Sequence, residues 1–425
     1  MIKRPFICLT KPRIQYELMG AKAEKPKEIP VPKTVTLLLD SPMTRKDTLA
    51  KPGDSVKTGQ KIMISENAGA YVISSATGKI TGIAPYYGDY GKSFTAVTIA
   101  VSKNEEMDGA FAAVKEAVSM GALSNYLSFS PGSPNFECFS NSENPIKTIV
   151  IYGGNTDLLI ATNQYIIHAR MEDIIQGIDV LKKATGVEKV VIAVPRDLIP
   201  GFGHTGAEAK GVDIAYPSAM PKVIMEKVLH MPVPAGKTCE DLGVTFMSAE
   251  AVASLGKAFT SGHIPVEKIL TLVEKDGTKN LVSARMGTPV GDILKAFKVT
   301  LQEKDRLIVG GPLTGSCIYS EDHPVTPDMD SIMVQDAADV SLVSDYPCVN
   351  CGECVKICPA KIQVHMLVRL LEAGLYQQAV DEYDLNCCID CGLCSFVCVS
   401  KIPVFQYIKL AKYELDRINA AEATK

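Results

Sequence analysis

The sequence predicts a multidomain α+β chain with four parts: a small all-β module, an α/β layer, a second β-rich module and a helical, cysteine-rich tail. Three observations predict it. At 425 residues the chain is too long for one core. The hydrophobic period changes along it, from short β-type runs to alternating strands and helices and back again. Nine of its thirteen cysteines fall between Cys348 and Cys398.

Composition narrows the function classes. Apolar content of 46% with 22% charged residues is that of a globular protein. A net charge of -4, with no long basic run, gives no reason to expect a surface that tracks nucleic acid. MIKRPFICLT has two cations and no apolar stretch behind them, so it is not a secretory signal. No window reaches the roughly 18–20 apolar residues that a membrane span needs. The expectation is a soluble chain that can sit peripherally on a membrane partner.

Residues 1–105 are expected to hold an N-terminal segment and the all-β module. Within 34–101, apolar runs such as VTLLLD and FTAVTIAV alternate with turn chemistry. PGDSVKTGQ (Pro52 to Gln60) and SATGKITGI (Ser75 to Ile83) resemble the two halves of a lipoyl-type barrel-sandwich hybrid. Such hybrids can carry a cofactor on a turn lysine, and Lys79 follows Gly78 at a predicted turn. Its flanks are not a carrier signature, so the module reads as structural.

Residues 106–262 alternate strands with helices. KTIVIYGG (Lys147 to Gly154) is a buried strand running into a glycine turn. In MEDIIQGIDVLKKATG, Ile174, Ile175, Ile178 and Leu181 keep helical spacing, and Gly186 closes the helix. VEKVVIAVP adds a β-branched strand stopped by Pro195. This alternation predicts a doubly wound or related α/β layer. GFGHTG (Gly201 to Gly206) matches GxGxxG formally, but only AEAKG separates it from a predicted strand at VDIAY. The helix that would hold a pyrophosphate has no room, so a loop is expected.

Residues 263–337 return to short elements: strands at KILTLVE and KNLVSARMG, a helix at VGDILKAF and a strand at DRLIVGG. This β-β-α-β order suggests a β-grasp module, followed by a linker containing HPVTPDMD.

Residues 338–425 carry the chemistry. CVNCGECVKICPAK begins at Cys348 and CIDCGLCSFVCVSK repeats its spacing from Cys388. In CxxCxxCxxxC three thiolates reach one cubane from a single loop, and the fourth points away. In bacterial two-cluster ferredoxins that fourth cysteine ligates the other cluster. One 4Fe–4S cluster would then take Cys348, Cys351, Cys354 and Cys398, and the other Cys388, Cys391, Cys394 and Cys358. Zinc is the rival, since two CxxC pairs can make a Cys₄ site. Eight cysteines in two identical motifs overshoot one zinc and fit two cubanes without remainder. Pro359 follows the first motif, whereas Val399 stands where the second would have proline, loosening that turn. Cys387 reads as a core thiol, and the isolated Cys8, Cys138, Cys239 and Cys317 as buried small hydrophobes. The six histidines have no ligand spacing. Gln363 to Leu385 is expected to be helical with a break at Gly374, and a C-terminal helix to begin near Pro403.

This order of modules resembles the C subunit of the Rnf electron-transport complex, a family related to the flavin-binding subunit of respiratory complex I. The matching stretches are PGDSVKTGQ, SATGKITGI, EDIIQGIDVLKK, RMGTPVGDIL, DRLIVGGPLTG, HPVTP and the whole tail. The resemblance implies an α/β domain like the complex I flavin and NADH site, an SLBB-like β-grasp module and a two-cluster ferredoxin tail. It also implies peripheral seating on the inner face of the cell membrane, beside membrane-bound subunits and a ferredoxin or similar redox partner. The family's flavin loop is GxGGAGFP, and a second loop, NGAECEP, brings acidic residues to the nucleotide. Here MGALSNYLSFSPGS (Met120 to Ser133) keeps Gly121 but has Leu123, Asn125 and Tyr126 where glycines belong. YGGNTDLL (Tyr152 to Leu159) lacks the paired glutamates, and KRPFICLTKPR replaces the family's GGIHP opening. Fold and clusters therefore carry over and the flavin does not: neither FMN nor NADH is expected to bind. The leading expectation is an iron–sulfur electron-transfer subunit. The alternatives are an FMN-dependent, NADH-oxidising subunit with a drifted loop, and a non-catalytic docking subunit.

Overall fold

The computed structural model describes residues 13–19, 24–41, 48–65, 70–88, 91–344 and 346–423. Cys8 and most of the N-terminal KRPFICLTKPR stretch lie outside them.

The first β-rich unit is an antiparallel sheet in the order Thr34–Leu39, Ser93–Val101, Gly78–Tyr87, Ser55–Val56, with a second ribbon of Lys61–Met63 and Tyr71–Ile73. Period-two alternation drives it: in TVTLLL, Val35, Leu37 and Leu39 point inward and their neighbours do not. They meet Val56, Ile62, Val72, Ile80, Val97 and Ile99 in one core, each such side chain contributing about 1.5–3 kcal/mol when fully buried. Lys79 does not sit at a turn. It is an exposed strand residue paired with both Ser55 and Ala100, because the Gly78–Tyr87 strand starts earlier than its turn-like sequence suggests.

The α/β unit has four parallel strands in the order Glu208–Val212, Lys189–Pro195, Thr148–Tyr152, Val244–Ser248. In chain order that is third, second, first, fourth. Helix Met171–Thr185 packs Ile174, Ile178 and Leu181 inward and ends at left-handed Gly186. Helix Ala249–Ser261 follows the last strand, its first turn capped by the Ser248 hydroxyl, which accepts from the Ala251 amide at 3.0 Å. GFGHTG runs from a 3₁₀ turn, Arg196–Phe202, into the strand Glu208–Val212, which begins inside AEAKG, ahead of the expected VDIAY. No helix lies between GFGHTG and that strand.

A six-stranded mixed sheet forms the third unit, in the order Lys27–Glu28, Lys279–Arg285, Glu267–Val273, Ser331–Gln335, Arg306–Val309, Ser316–Ile318. Helix Val290–Ala296 covers it through Ile293 and Leu294, against Leu270, Leu272, Val282 and Ile332. Three of these strands escape the sequence: Ser316–Ile318 adds the edge beyond Arg306–Val309. Ser331–Gln335 follows the two prolines of the expected linker, yet enters the centre of the sheet parallel to Glu267–Val273. Lys27–Glu28 is drawn from the N-terminal segment to the far edge. That segment does not belong to the barrel: Gln15 bridges Ala215 of the α/β unit, and Tyr16 packs on Tyr216.

The tail is helical: Glu353–Ile357, Val364–Glu372, Tyr376–Tyr383, Leu393–Val397 and Val404–Ala423. Leu367, Val368, Leu371, Phe405, Ile408 and Ala411 make its core, and the chain breaks at Gly374 between the second and third helices. Among the described residues, no helix is long and apolar enough to cross a membrane. Of the isolated cysteines, Cys239 is buried and Cys138 half-buried, but Cys317 is exposed, because its strand lies at the edge of the mixed sheet.

Candidate metal centre

The two cysteine motifs fold into the same loop twice. Left-handed backbone at Asn350, Gly352 and Lys361 (φ 53°, 74° and 56°) recurs at Asp390, Gly392 and Lys401 (58°, 68° and 58°). A short helix starts after each glycine, Glu353–Ile357 in one loop and Leu393–Val397 in the other. A turn closes each motif, with the Lys361 amide donating to the Cys358 carbonyl at 3.2 Å and the Lys401 amide to the Cys398 carbonyl at 3.3 Å. The second turn is thus no looser for having Val399 in place of proline.

The thiols gather across the motifs as well as within them. Burial, with Cys351 and Cys348 adding, pushes the Cys354 thiol up to about 11. Cys391 is likewise pushed to about 11, by burial and by Cys358, the last cysteine of the other motif. Cys394 is raised by burial and then by Cys388, Cys391 and Cys354. Burial, then Asp390, takes Cys388 to about 12. Cys398 packs on the same helical core, and so does half-buried Cys387, near Asp384 and Lys222.

Buried thiols that oppose one another's ionisation suit a cationic partner, which deprotonates a coordinating thiol outright. Among the described residues, no three His, Cys, Asp or Glu side chains converge to hold a single metal ion. A cubane spreads its thiolates over several irons, and the donor set present, thiols alone, fits that group.

The two loops differ in their surroundings. Cys391 and Cys394 are buried, while Cys351, Val349 and Tyr346 are exposed. The second loop is docked on the α/β unit: the Tyr216 hydroxyl donates to the Cys391 carbonyl at 2.7 Å, and Lys222 donates to the Asn386 carbonyl at 3.1 Å.

In open α/β sheets, ligands bind in the crevice outside the carboxyl ends of the strands. Here Tyr16 and Leu18 of the N-terminal segment lie in that crevice, with Tyr152, Gly154, Pro195 and Ile214, and leave a void of about 20 Å³. The segment is tied down: Tyr16 donates its amide to the Ile214 carbonyl at 2.8 Å, and the Met19 amide donates to Gln164 Oε1 at 2.8 Å. MGALSNY, expected to push bulky side chains into a cofactor loop, is instead the helix Met120–Tyr126. Leu123 faces the core, and the Tyr126 ring meets Phe111 at 5.9 Å. YGGNTDLL keeps one carboxylate that a search for paired glutamates passes over, Asp157. It is 1% exposed and fully engaged by donors from its own chain. Neither helix nor carboxylate was legible from residue type alone, since both depend on partners far away in sequence.

Comparison with known proteins follows the same lines. The family model described as "RnfC Barrel sandwich hybrid domain" matches residues 18–104. The C subunit of a proton-translocating ferredoxin:NAD(+) oxidoreductase complex from Clostridium ljungdahlii is 25% identical over 393 residues, 85% of this chain and 84% of that one. The chain resembles Rnf C subunits. The C subunit of an ion-translocating oxidoreductase complex from Rhodobacter capsulatus is 25% identical over 241 residues, covering 54% of this chain and 46% of that relative, less than half its length. Among solved structures, an NAD⁺-reducing [NiFe]-hydrogenase in the H₂-reduced state aligns over 73% of this chain and 63% of that one. Its identity is 13% and its TM-score 0.44, too low to carry an argument. The likeness to Rnf C subunits thus rests on sequence, and the fold beside it is a mixed α/β multidomain chain with a barrel-sandwich hybrid.

Proposed function

We propose that this chain is the iron–sulfur electron-transfer subunit of an Rnf-like oxidoreductase complex, relaying single electrons between redox partners without a flavin of its own. Cys348, Cys351, Cys354 and Cys398 would hold one 4Fe–4S cluster, and Cys388, Cys391, Cys394 and Cys358 the other. The observation that carries this reading is the repeated loop, with Cys358 of one motif beside Cys391 of the other. Bound clusters supply one-electron chemistry. The chain's own part is to fix the thiolates, bury one loop and leave the other near the surface.

The mixed sheet reads as an SLBB-like β-grasp, supported by the order of its five strands from Glu267 onward, second, first, fifth, third and fourth, with the central pair parallel. The α/β unit reads as a relative of the complex I flavin domain whose crevice is filled by its own chain. As a relay, the chain would receive and deliver electrons at surfaces, between a ferredoxin-like protein and the membrane-bound subunits of the complex on the cytoplasmic face.

Anaerobic purification followed by iron, sulfide and flavin assays on one sample tests the reading. About eight iron and eight sulfide per chain are expected from two Cys₄ clusters. One zinc per chain with little iron would overturn it.

A further inference from the structure

Gly352 and Gly392 occupy the same place in the two cysteine loops, with the same left-handed backbone. A Cβ on Gly352 would meet nothing within 4 Å. A Cβ on Gly392 would stand 2.2 Å from the carbonyl oxygen of Leu313. A segment of the mixed-sheet unit, Gly310 to Ser316, therefore lies directly on the second loop at Gly392 and has no counterpart at Gly352 in the first. Close approach of this kind needs glycine beneath it.

Asp157 holds that segment down. Its Oδ2 accepts from the Leu313 amide at 3.1 Å, the Thr314 amide at 2.7 Å and the Thr314 hydroxyl at 2.7 Å, while Oδ1 accepts from the Leu158 amide at 2.7 Å. A Cβ on Gly311 would fall 2.4 Å from the Asp157 carboxyl carbon, so the fit is tight on this side too. On the other side Lys409 donates to the Thr314 carbonyl at 3.2 Å and to Ser316 Oγ at 2.9 Å. A buried carboxylate satisfied by backbone and hydroxyl donors is a rigid anchor, because freeing any donor leaves a polar group unpaired.

We propose that Asp157 is a positioning residue: it clamps the 310–316 segment as a cover over the second cysteine loop, and so makes the potentials of two otherwise equivalent centres unequal. This rests on the reading that both loops hold clusters. Cover excludes water and turns the Leu313 carbonyl oxygen toward the loop. Both effects oppose an added electron, so the covered centre has the lower potential.

Potentiometric titration followed by electron paramagnetic resonance tests this on the full chain. In the wild-type protein two midpoints are expected. Asp157→Asn removes a charge and loosens the cover, and shifts the covered centre's midpoint upward while the other stays put. Thr314→Val removes one donor and no charge, and gives a smaller shift of the same sign. It also serves if Asp157→Asn fails to fold. Unshifted midpoints in folded, cluster-loaded Thr314→Val, or equal shifts at both centres, overturn the inference alone. A wild-type chain without clusters removes the reading beneath it and the inference as well.

Discussion

Lys268 and Glu250 face each other across the boundary between the mixed sheet and the α/β unit, and both side chains are 0% exposed. Lys268 also donates to Asp330 at 3.2 Å and to the Ile269 carbonyl at 3.0 Å, while Glu250 accepts from the Ile269 amide at 3.0 Å. Burial pushes the Glu250 carboxyl up and Lys268 opposes it. On Lys268, burial favours the neutral amine, but Glu250 and Asp330 outweigh it and hold the lysine charged. One strand and one helix of different units are thereby fixed to each other.

Removing one partner of a buried pair costs more than the pair is worth, because the other charge stays behind. Lys268→Met is expected to lose about 3–5 kcal/mol in chemical denaturation. Adding Glu250→Gln, which keeps an acceptor for the Ile269 amide, should recover part of that. A single-variant loss below about 1 kcal/mol would place these groups in contact with solvent.

The neighbourhood of Cys358 gives a second expectation. If that thiol belongs with Cys388, Cys391 and Cys394, then Cys358→Ser damages the centre held mainly by the second motif, and Cys398→Ser the one held by the first. The two centres are distinguishable by their resonance signals once one is lost. Each substitution removing the centre of its own motif would show that the ligation is not crossed.

Glu105 and Arg285 give a pH expectation. Arg285 hydrogen-bonds the Glu105 carboxylate and holds it below its ordinary value of 4.5, linking the barrel's trailing segment to the mixed sheet. A lowered carboxyl contributes stability that is present above the ordinary value and lost as pH falls through the lowered one. With the Glu105 side chain 46% exposed, the contribution is under about 1 kcal/mol. The denaturation midpoint of Glu105→Gln should trail the wild type above the ordinary carboxyl value and converge with it as the pH falls below the lowered one. A gap that persists unchanged through the acid range would mean that the ion pair does not cause it.

How far the sequence could be read follows from the range of the forces involved. Helix Met171–Thr185 and strand Thr148–Tyr152 were legible because periodicity and caps are local. So was the break at Gly374. The strand Ser331–Gln335 was not, since its place between Glu267–Val273 and Arg306–Val309 is decided by partners 23 to 60 residues away in sequence, and two prolines precede it. In the tail the cysteine spacing announced the loops. Nothing in that spacing shows that Leu313 covers Gly392 of one loop while nothing covers Gly352 of the other. Asp157 was hidden for the same reason: a carboxylate in a loop looks available until the donors that occupy it are seen.

The last expectation concerns flavin. A flavin or nucleotide site needs a pocket of roughly 300 Å³ or more, with backbone N–H groups free to meet phosphate. The crevice at the carboxyl ends of the parallel strands retains about 20 Å³ beside Tyr16 and Leu18, room for about one water. The amides of the MGALSNY stretch are turned into a helix, with the Leu123 amide donating to the Ser119 carbonyl at 3.1 Å and the Ser119 hydroxyl accepting from the Ala122 amide. The one acidic side chain of YGGNTDLL is spent on the 310–316 segment. The isolated protein is therefore expected to carry no stoichiometric FMN, and NADH should leave its iron–sulfur absorbance unchanged while dithionite bleaches it. FMN at about one per chain, or bleaching by NADH, would mean that the N-terminal segment vacates the crevice. The chain would then be a dehydrogenase subunit whose flavin loop had drifted without losing its ligand.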